Sequence, residues 1–307
     1  MTAQPVPDGA IRIATYDGLD RYVRAFAAGA FNLLVLVGAP GLQKSRVVRD
    51  ALPDACWIEG HATALGIYMR LWERRDDDVI IDDVDSIYAD RAAVRLLKGL
   101  CQTERRKAIA WESDAPALRR EGIPRRFTTA GRVLIIANAW RTLNVHVAAL
   151  EDRGHLLHFD PAPAEIHART AAWFWDQEVF DWLGAHLHLI ERPSLRLYRA
   201  AWELKQAGMD WRGELLSRWL SGPRLLAARL RSDPSFAAEE DRARAFTERG
   251  GGCRATYYNH AKRLRPAAEP PRIALSSPPP SPSDPPDDAP LDLMELLRRR
   301  HRGLGRG

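Results

Sequence analysis

The chain has 307 residues, 46% of them hydrophobic and 28% charged, a composition that excludes a wholly disordered protein and suffices to bury a core. Its 45 basic and 40 acidic residues leave a net charge of +5, so any basic surface for an anionic partner must be local. The sequence shows neither a signal-like start nor a run of eighteen apolar residues, and its three cysteines lie far apart, so we expect a cytoplasmic protein without a membrane partner.

The predicted elements begin, after an N-terminal arm of residues 1–14, with a series of short apolar strands. Continuous apolar stretches, typical of strands buried on both faces, occupy residues 31–38, 55–60, 78–84, 132–138 and 155–161. Helical stretches separate the first three, which predicts right-handed crossovers and a parallel sheet. The sequence therefore predicts an α/β domain over residues 15–162, with an inserted hairpin from "KAIAWES" (107–113) through Arg126.

The first of these strands runs into "VLVGAPGLQKS" (35–45), which is nearly a phosphate-binding loop, or P-loop, between a strand and a helix. The predicted ATP-binding loop consists of Gly38, Ala39, Pro40, Gly41, Leu42, Gln43, Lys44 and Ser45. Backbone N–H groups would surround the phosphates, Lys44 would add positive charge, and the Ser45 hydroxyl would bind Mg²⁺. Gln43 stands where a glycine is expected, and a side chain there needs a conformation open to other residues, so the loop is expected to survive only if φ at Gln43 is negative. The alternative is an ordinary turn rich in glycine and proline.

A second motif, "VIIDDVD", ends the third apolar strand, and its Asp82 follows Lys44 by 38 residues. Asp82 is predicted to bind Mg²⁺ beside the loop, and Asp83 to polarise an attacking water. Two acids at the end of an apolar strand are costly to bury without a cation, which favours a magnesium site. An ordinary solvated turn is the alternative.

Together these motifs resemble those of the AAA+ ATPases, over residues 15–220. In that resemblance Asn138, at the end of "LIIAN", corresponds to a residue that helps to orient the water, and Arg153, in "ALEDRGHLLHFDP", to an arginine that reaches a neighbouring subunit's site. Arg196, in "ERPSLRLYRAA", corresponds to a lid arginine directed at the γ-phosphate. The resemblance implies bound ATP and Mg²⁺, ATP hydrolysis and a homo-oligomer. Gln43 and Asp83 depart from the family pattern, the latter replacing the more usual glutamate, and both bear on turnover.

Each of the two arginines has an alternative interpretation. A helix over residues 141–152 would carry the chain about 18 Å from Asn138, to the edge of the domain. The alternative role for Arg153 there is to complement a helix dipole. Arg196 lies beside Arg192 and Arg199, any of which fits the lid position.

Helical patterns rich in tryptophan begin at Pro163 and predict a helical lid domain over residues 163–233. Between 163 and 220 lie six of the ten tryptophans, which we interpret as the core of this domain and not as a ligand cage. They are Trp173, Trp175, Trp182, Trp202, Trp211 and Trp219.

Residues 234–265 resemble a helix-turn-helix unit, with a first helix from Pro234, a glycine turn and a second helix from about Cys253. The predicted DNA-binding face of the second helix consists of Arg254, Tyr258, Lys262 and Arg265, opposite an apolar face of Tyr257, Ala261 and Leu264. A helical hairpin with a solvated basic face is an equal alternative. The basic residues of the inserted hairpin, which are expected to approach phosphates or to lie on the surface, are Lys107, Arg125, Arg126 and Arg132.

The last segment, residues 266–307, is a predicted disordered tail, because proline, serine and aspartate dominate it up to residue 290. It ends in a short helical segment over 291–302 that would dock a protein partner. The sequence as a whole predicts an α/β, parallel-sheet P-loop nucleotide-binding domain, a helical lid domain and a small helical C-terminal unit with this tail. The expected function is an ATPase that acts on DNA in replication, transposition or mobile-element maintenance. The alternative is a protein remodeller or scaffold with weak or no hydrolysis.

Overall fold

The computed structural model describes residues 6–84, 87–88, 90–140, 153–190, 193–265 and 275. Within these ranges we number the strands and helices in chain order. The strands are β1 (Ile11–Ile13), β2 (Leu33–Gly38), β3 (Cys56–Glu59), β4 (Val79–Asp82), β5 (Lys107–Ala110), β6 (Arg126–Thr129), β7 (Val133–Ala137) and β8 (His155–Phe159). The helices are α1 (Tyr16–Ala27), α2 (Lys44–Ala51), α3 (Ala64–Glu73), α4 (Arg91–Leu100), α5 (Pro116–Arg120), α6 (Pro163–Thr170), α7 (Gln177–Ala185), α8 (Leu195–Gln206), α9 (Trp211–Trp219), α10 (Gly222–Ser232), α11 (Glu239–Glu248) and α12 (Arg254–Leu264).

Six of the strands form one parallel sheet in the order β1-β8-β2-β7-β4-β3. The predicted α/β class and the five predicted strands are thereby confirmed. Strand β2 is buried along its whole length, as its unbroken apolar sequence requires. The chain leaves β2 toward β3 and leaves the neighbouring β7 in the opposite direction, toward β8, and such a reversal opens a crevice at the carboxyl ends of the strands. The candidate loop begins at that end of β2.

The sheet has an apolar core on each face. On one face, Val35, Val37, Ile81 and Ile135 pack with helices α3 and α4. On the other, alternate residues of the same strands pack with α1 and α2. The buried Ile13 of β1 belongs to this second core, and β1 pairs with β8. Residues 11–13 of the predicted N-terminal arm are therefore an edge strand of the sheet.

The predicted inserted hairpin exists, with β5 and β6 antiparallel in a separate sheet. Its basic residues do not all serve as expected. The fully buried Lys107 donates from Nζ to Gly131 O at 2.9 Å, and Arg132 forms an ion pair with Asp78. The prediction that these two approach phosphates is wrong, because Lys107 ties the hairpin to the segment before β7 and Arg132 ties the start of β7 to Asp78 and to the end of α1. Arg125 and Arg126 are exposed and pair with Asp114 and Glu112.

Helices α6 to α9 form most of the predicted lid around a core that includes Phe174, Phe180, Tyr198 and Trp211. Four of the six tryptophans pack in or against this core, as predicted: Trp182, Trp202, Trp211 and Trp219. The ring of Trp175 lies 5.5 Å from that of Trp202. Trp173 instead packs on the core between the sheet and helices α1 and α2.

Helices α10, α11 and α12 share another core, formed by residues such as Ala227, Phe246 and Tyr257. The predicted boundary between residues 233 and 234 therefore falls inside a three-helix unit, because the apolar face of α10 packs on α11 and α12. The first helix of the predicted helix-turn-helix is also corrected, since α11 begins at Glu239 and not at Pro234. The second helix starts where predicted, with Cys253 as its N-cap.

Two predicted elements lie outside the described residues: the helix over 141–152 and the tail, apart from Leu275. That leucine packs against the lid core. None of the helices in the described part of the chain combines the length and the apolar composition needed to cross a lipid bilayer.

Candidate functional site

The candidate loop leaves β2 at Gly38 and enters α2 at Lys44, and its two glycines are required by close packing. A Cβ on Gly38 would lie 2.6 Å from the carbonyl oxygen of Phe159 on β8. Gly41 has a φ of +81°, and a Cβ there would lie 2.8 Å from Cβ of Ser194. A side chain at either position would force the neighbouring element away, so the loop is built for close backbone approach.

Gln43 adopts the left-handed conformation, with φ 60° and ψ 24°. The condition that φ be negative at Gln43 for the loop to survive is therefore wrong, because the strand-loop-helix turn forms with a positive φ there. The loop keeps the backbone geometry that a glycine would adopt without strain, and for a glutamine this costs roughly 1–2 kcal/mol. Tertiary contacts must hold Gln43 in this conformation, because its own side chain makes no capping hydrogen bond.

Lys44 is the buried centre of the site. Its Nζ donates to Gly38 O at 2.8 Å, to Ala39 O at 3.0 Å and to Asn138 Oδ1 at 3.1 Å. Burial lowers the pKa of Lys44 to about 8, although the nearby carboxylates of Asp82 and Asp83 act in the opposite direction. A buried amine whose three donors meet only neutral oxygens is well placed to gain an anionic partner.

The two acids and Asn138 lie at the carboxyl ends of β4 and β7, beside Lys44. Asp82 pairs with Ile136 in the sheet register, and Asp83 leaves the strand with a φ of 52°. Asn138 Nδ2 donates to Asp83 Oδ2 at 2.6 Å while its Oδ1 accepts from Lys44. Asn138 thus joins the lysine to the second acid. The described residues contain only two non-glycine residues with positive φ, Gln43 and Asp83, and both belong to this site.

The chemistry of the donors fits Mg²⁺. The cation prefers oxygen ligands and usually keeps waters and substrate phosphates in its shell. Asp82 offers a half-buried carboxylate and Ser45 a hydroxyl in the first turn of α2. No cluster of three or more His, Cys, Asp or Glu ligands occurs in the described ranges, and a site shared with phosphates does not need one.

The lid brings Arg196 to the loop. Leu195 N, at the start of α8, donates to Gly41 O at 3.4 Å. Cδ of Arg196 would lie 3.8 Å from a Cβ on Gly41, and its charge helps to lower the pKa of Lys44. Arg196 therefore faces the same space as Lys44.

Arg153 does not join this group. It precedes β8, and its Nη1 donates to Lys98 O at 3.2 Å. Strand β8 (His155–Phe159), which spans roughly 15 Å, separates it from the loop, so Arg153 lies at the opposite end of this strand. This agrees with a position at the domain's edge.

One contact to the loop, made by Tyr16 at the start of α1, was not predicted from the sequence. The Tyr16 hydroxyl donates to Leu42 O at 3.1 Å, and its backbone N–H donates to Glu165 Oε1 at 2.8 Å. Burial raises the pKa of Tyr16 to about 12, so the hydroxyl remains a donor. The only signal in the sequence was Thr15 as a helix cap, and a cap does not reveal which loop the next side chain contacts.

A second candidate surface lies on α12. The predicted outer residues Arg254, Tyr258, Lys262 and Arg265 are all exposed, and the predicted inner residues Tyr257, Ala261 and Leu264 are all buried. Tyr258 is 44% exposed, one of two large hydrophobic residues exposed to this degree in the described ranges. Helix α12 contains no acidic residue, so its outer face is basic with an aromatic centre.

Comparisons with known proteins found only distant similarity in sequence and structure. No family model matches the chain. A stretch of 120 residues, 36% of this chain, is 29% identical to an uncharacterised 36.7 kDa protein of Enterobacteria phage T4 from the nrdC–mobD intergenic region, and it spans 37% of that protein. A solved structure from work on the structural basis of katanin self-assembly is similar with a TM-score of 0.36 and 14% identity, over 84% of this chain and 85% of the other. A likeness this distant carries no argument about activity.

Proposed function

We propose that this chain is an ATPase of the AAA+ type. The observation that carries the proposal is the hydrogen-bonded series from Lys44 through Asn138 to Asp83, at the carboxyl ends of adjacent strands and beneath a strand-loop-helix turn. These are the parts that phosphoryl transfer to water requires: a cation for the phosphates, and polar groups that position the nucleophile.

The residues then have distinct roles. The backbone between Gly38 and Ser45 wraps the phosphates, and Lys44 exchanges its neutral oxygen partners for phosphate oxygens. Asp83 and Asn138 position the water, and Arg196 neutralises charge from the lid side. Mg²⁺, held by Ser45 and Asp82, would supply further charge neutralisation.

We also propose that the active form is a homo-oligomer. Arg153 lies too far from its own loop to contact the nucleotide bound there. Its place at the opposite end of β8 suits a site completed by a neighbouring copy, as the AAA+ resemblance implies.

The primary test measures ATP hydrolysis and calorimetric ATP binding for the wild type, for Lys44→Ala and for Lys98→Ala. Lys98 is an exposed lysine on α4 and serves as the matched control. We expect Lys44→Ala to lose on the order of 100-fold or more in turnover, because it removes a preorganised cation. Lys98→Ala should behave as the wild type. Equal hydrolysis by Lys44→Ala and the wild type would refute the catalytic role.

We further propose that α12 binds the phosphate backbone of DNA. Its exposed basic face surrounds Tyr258, a combination suited to phosphates and to bases or sugars. The double variant Arg254→Ala/Lys262→Ala should weaken duplex binding and reduce the slope of log K against log salt by about 0.9 for each lost phosphate contact. Arg244→Ala on α11 is the control, since Arg244 is also exposed but pairs with Asp241. An unchanged salt slope in the double variant would exclude α12 as the DNA surface.

One observation favours the second candidate, an ATP-binding remodeller or scaffold with slow or no hydrolysis. The short carboxylate of Asp83 is already held by Asn138, at a strained φ, and is one methylene shorter than the usual glutamate. Tight ATP binding without turnover, together with no salt-sensitive DNA binding, would support this candidate.

A further inference from the structure

We propose that Tyr16 is a positioning residue for the phosphate loop. Its hydroxyl group stabilises the left-handed conformation at position 43, which a glycine would adopt without such support. The proposal rests on the proposed nucleotide binding at this loop. It concerns a contact between two segments far apart in the sequence, and it explains how the loop tolerates its glutamine.

The hydroxyl of Tyr16 is held in place from several sides. The residue is 2% exposed, and its backbone N–H is bonded to Glu165 on α6. Its ring meets those of Phe159 and Trp173 edge to face, with centroids 5.0 and 6.0 Å away. Strand β8 and the lid thus fix the ring. The acceptor, Leu42 O, belongs to a residue that is itself only 4% exposed.

The bonded carbonyl belongs to the peptide group that determines the conformation of Gln43. Rotation of the plane between Leu42 and Gln43 changes ψ of the first residue and φ of the second together, so the direction of Leu42 O and the sign of φ at Gln43 are linked. The observed φ of 60° accompanies a carbonyl that points at Tyr16. A hydrogen bond to this carbonyl therefore selects the left-handed state over the extended or right-handed one.

The orientation of this peptide plane also determines the direction of a hydrogen-bond donor, the backbone N–H of Gln43. In a trans peptide the N–H points opposite to the C=O, so the Gln43 N–H points away from Tyr16. No hydrogen bond from this N–H to any described residue is found. At the N-terminus of α2 such a donor is suited to a phosphate oxygen. Loss of the Tyr16 hydroxyl would let the peptide flip and would turn this donor away.

A double-mutant cycle tests the proposal by calorimetric titration of a non-hydrolysable ATP analogue with Mg²⁺. The variants are Tyr16→Phe, Gln43→Gly and the two combined. Tyr16→Phe should weaken binding by about tenfold, the loss expected for one buried hydrogen bond. In the Gln43→Gly background the same change should weaken binding by less than about twofold, because glycine adopts a positive φ without help.

Tyr68→Phe is the matched control. Tyr68 is also fully buried, and its hydroxyl donates to the backbone carbonyl of Pro124 at 2.7 Å, far from the loop. It should lose thermal stability as Tyr16→Phe does, with unchanged nucleotide affinity. Equal loss of affinity from Tyr16→Phe in both backgrounds, or no loss in either, would overturn the positioning role alone. If the wild type binds no nucleotide, the proposed function fails and the positioning role fails with it.

Discussion

The surroundings of Lys44 change the protonation equilibrium of its amine. Burial lowers its pKa to about 8, so close to neutral pH part of the population is uncharged before any ligand arrives. The folded pKa lies below the unfolded value. The cost of burying this ammonium is therefore complete below pH 8 and fades as the pH rises toward about 10.5.

Nucleotide binding should accordingly be linked to proton uptake. Phosphate oxygens stabilise the ammonium form and raise the pKa of Lys44, so binding at about pH 8.5 should take up a fraction of a proton, and affinity should fall as the pH rises from about 7 to 9. The measurement is calorimetry in two buffers of different ionisation enthalpy. Heats that do not depend on the buffer would show that Lys44 does not change its protonation on binding.

Among the elements, α8 of the lid contacts the loop, through Leu195 N and Gly41 O. Gly41 has the positive φ and also meets Ser194, so it has two reasons to be glycine. Gly208, between α8 and α9, has a similar φ of +70° but nothing within 4 Å of a built Cβ. Substitution of these two glycines therefore distinguishes the effect of backbone strain from the effect of the lid contact.

Gly41→Ala should reduce both stability and nucleotide affinity, whereas Gly208→Ala should reduce stability alone. Each alanine at positive φ costs roughly 1–2 kcal/mol of unfolding free energy. Only Gly41→Ala also pushes Ser194, and with it Arg196, away from the loop. Urea unfolding and analogue titration of both variants check this. Equal affinities in the two variants would mean that the lid contact does not contribute to the site.

The sequence predicted those parts of the fold that depend on local pattern. The apolar runs of β2, β4 and β7 are long and bounded by turns, so the sheet and the positions of Lys44, Asp82 and Asn138 followed from them. Strand β1 was missed because three residues carry too little pattern, and its pairing with β8 spans most of the domain.

Two further features depend on contacts that no local pattern records. The left-handed φ of Gln43 contradicts the preference of its residue type and agrees with the bond that Tyr16 makes to Leu42, 26 residues away. Likewise, the pattern around Asp233 and Pro234 marked a boundary, but the apolar face of α10 packs forward onto α11 and α12. Tertiary packing overrides local preference at such sites.

The distance between Arg153 and the loop predicts that the nucleotide site of a single copy is incomplete without a neighbouring copy. If a neighbouring copy supplies Arg153, the two variants have complementary defects. Lys44→Ala lacks a working pocket but keeps Arg153, whereas Arg153→Ala keeps a working pocket but lacks the arginine. Each variant alone should be inactive. In an equimolar mixture, pockets of Arg153→Ala meet arginines of Lys44→Ala at one interface in four, so hydrolysis should recover to about a quarter of the wild-type rate.

The control mixture replaces Arg153→Ala with Asp82→Ala, whose defect lies in the same pocket as that of Lys44→Ala. No interface in that mixture combines an intact pocket with any arginine, so no activity should return. Sedimentation velocity with and without the ATP analogue would establish that the copies associate. Full hydrolysis by Arg153→Ala alone would show that this arginine has no part in the reaction and would overturn its proposed supply by a neighbour.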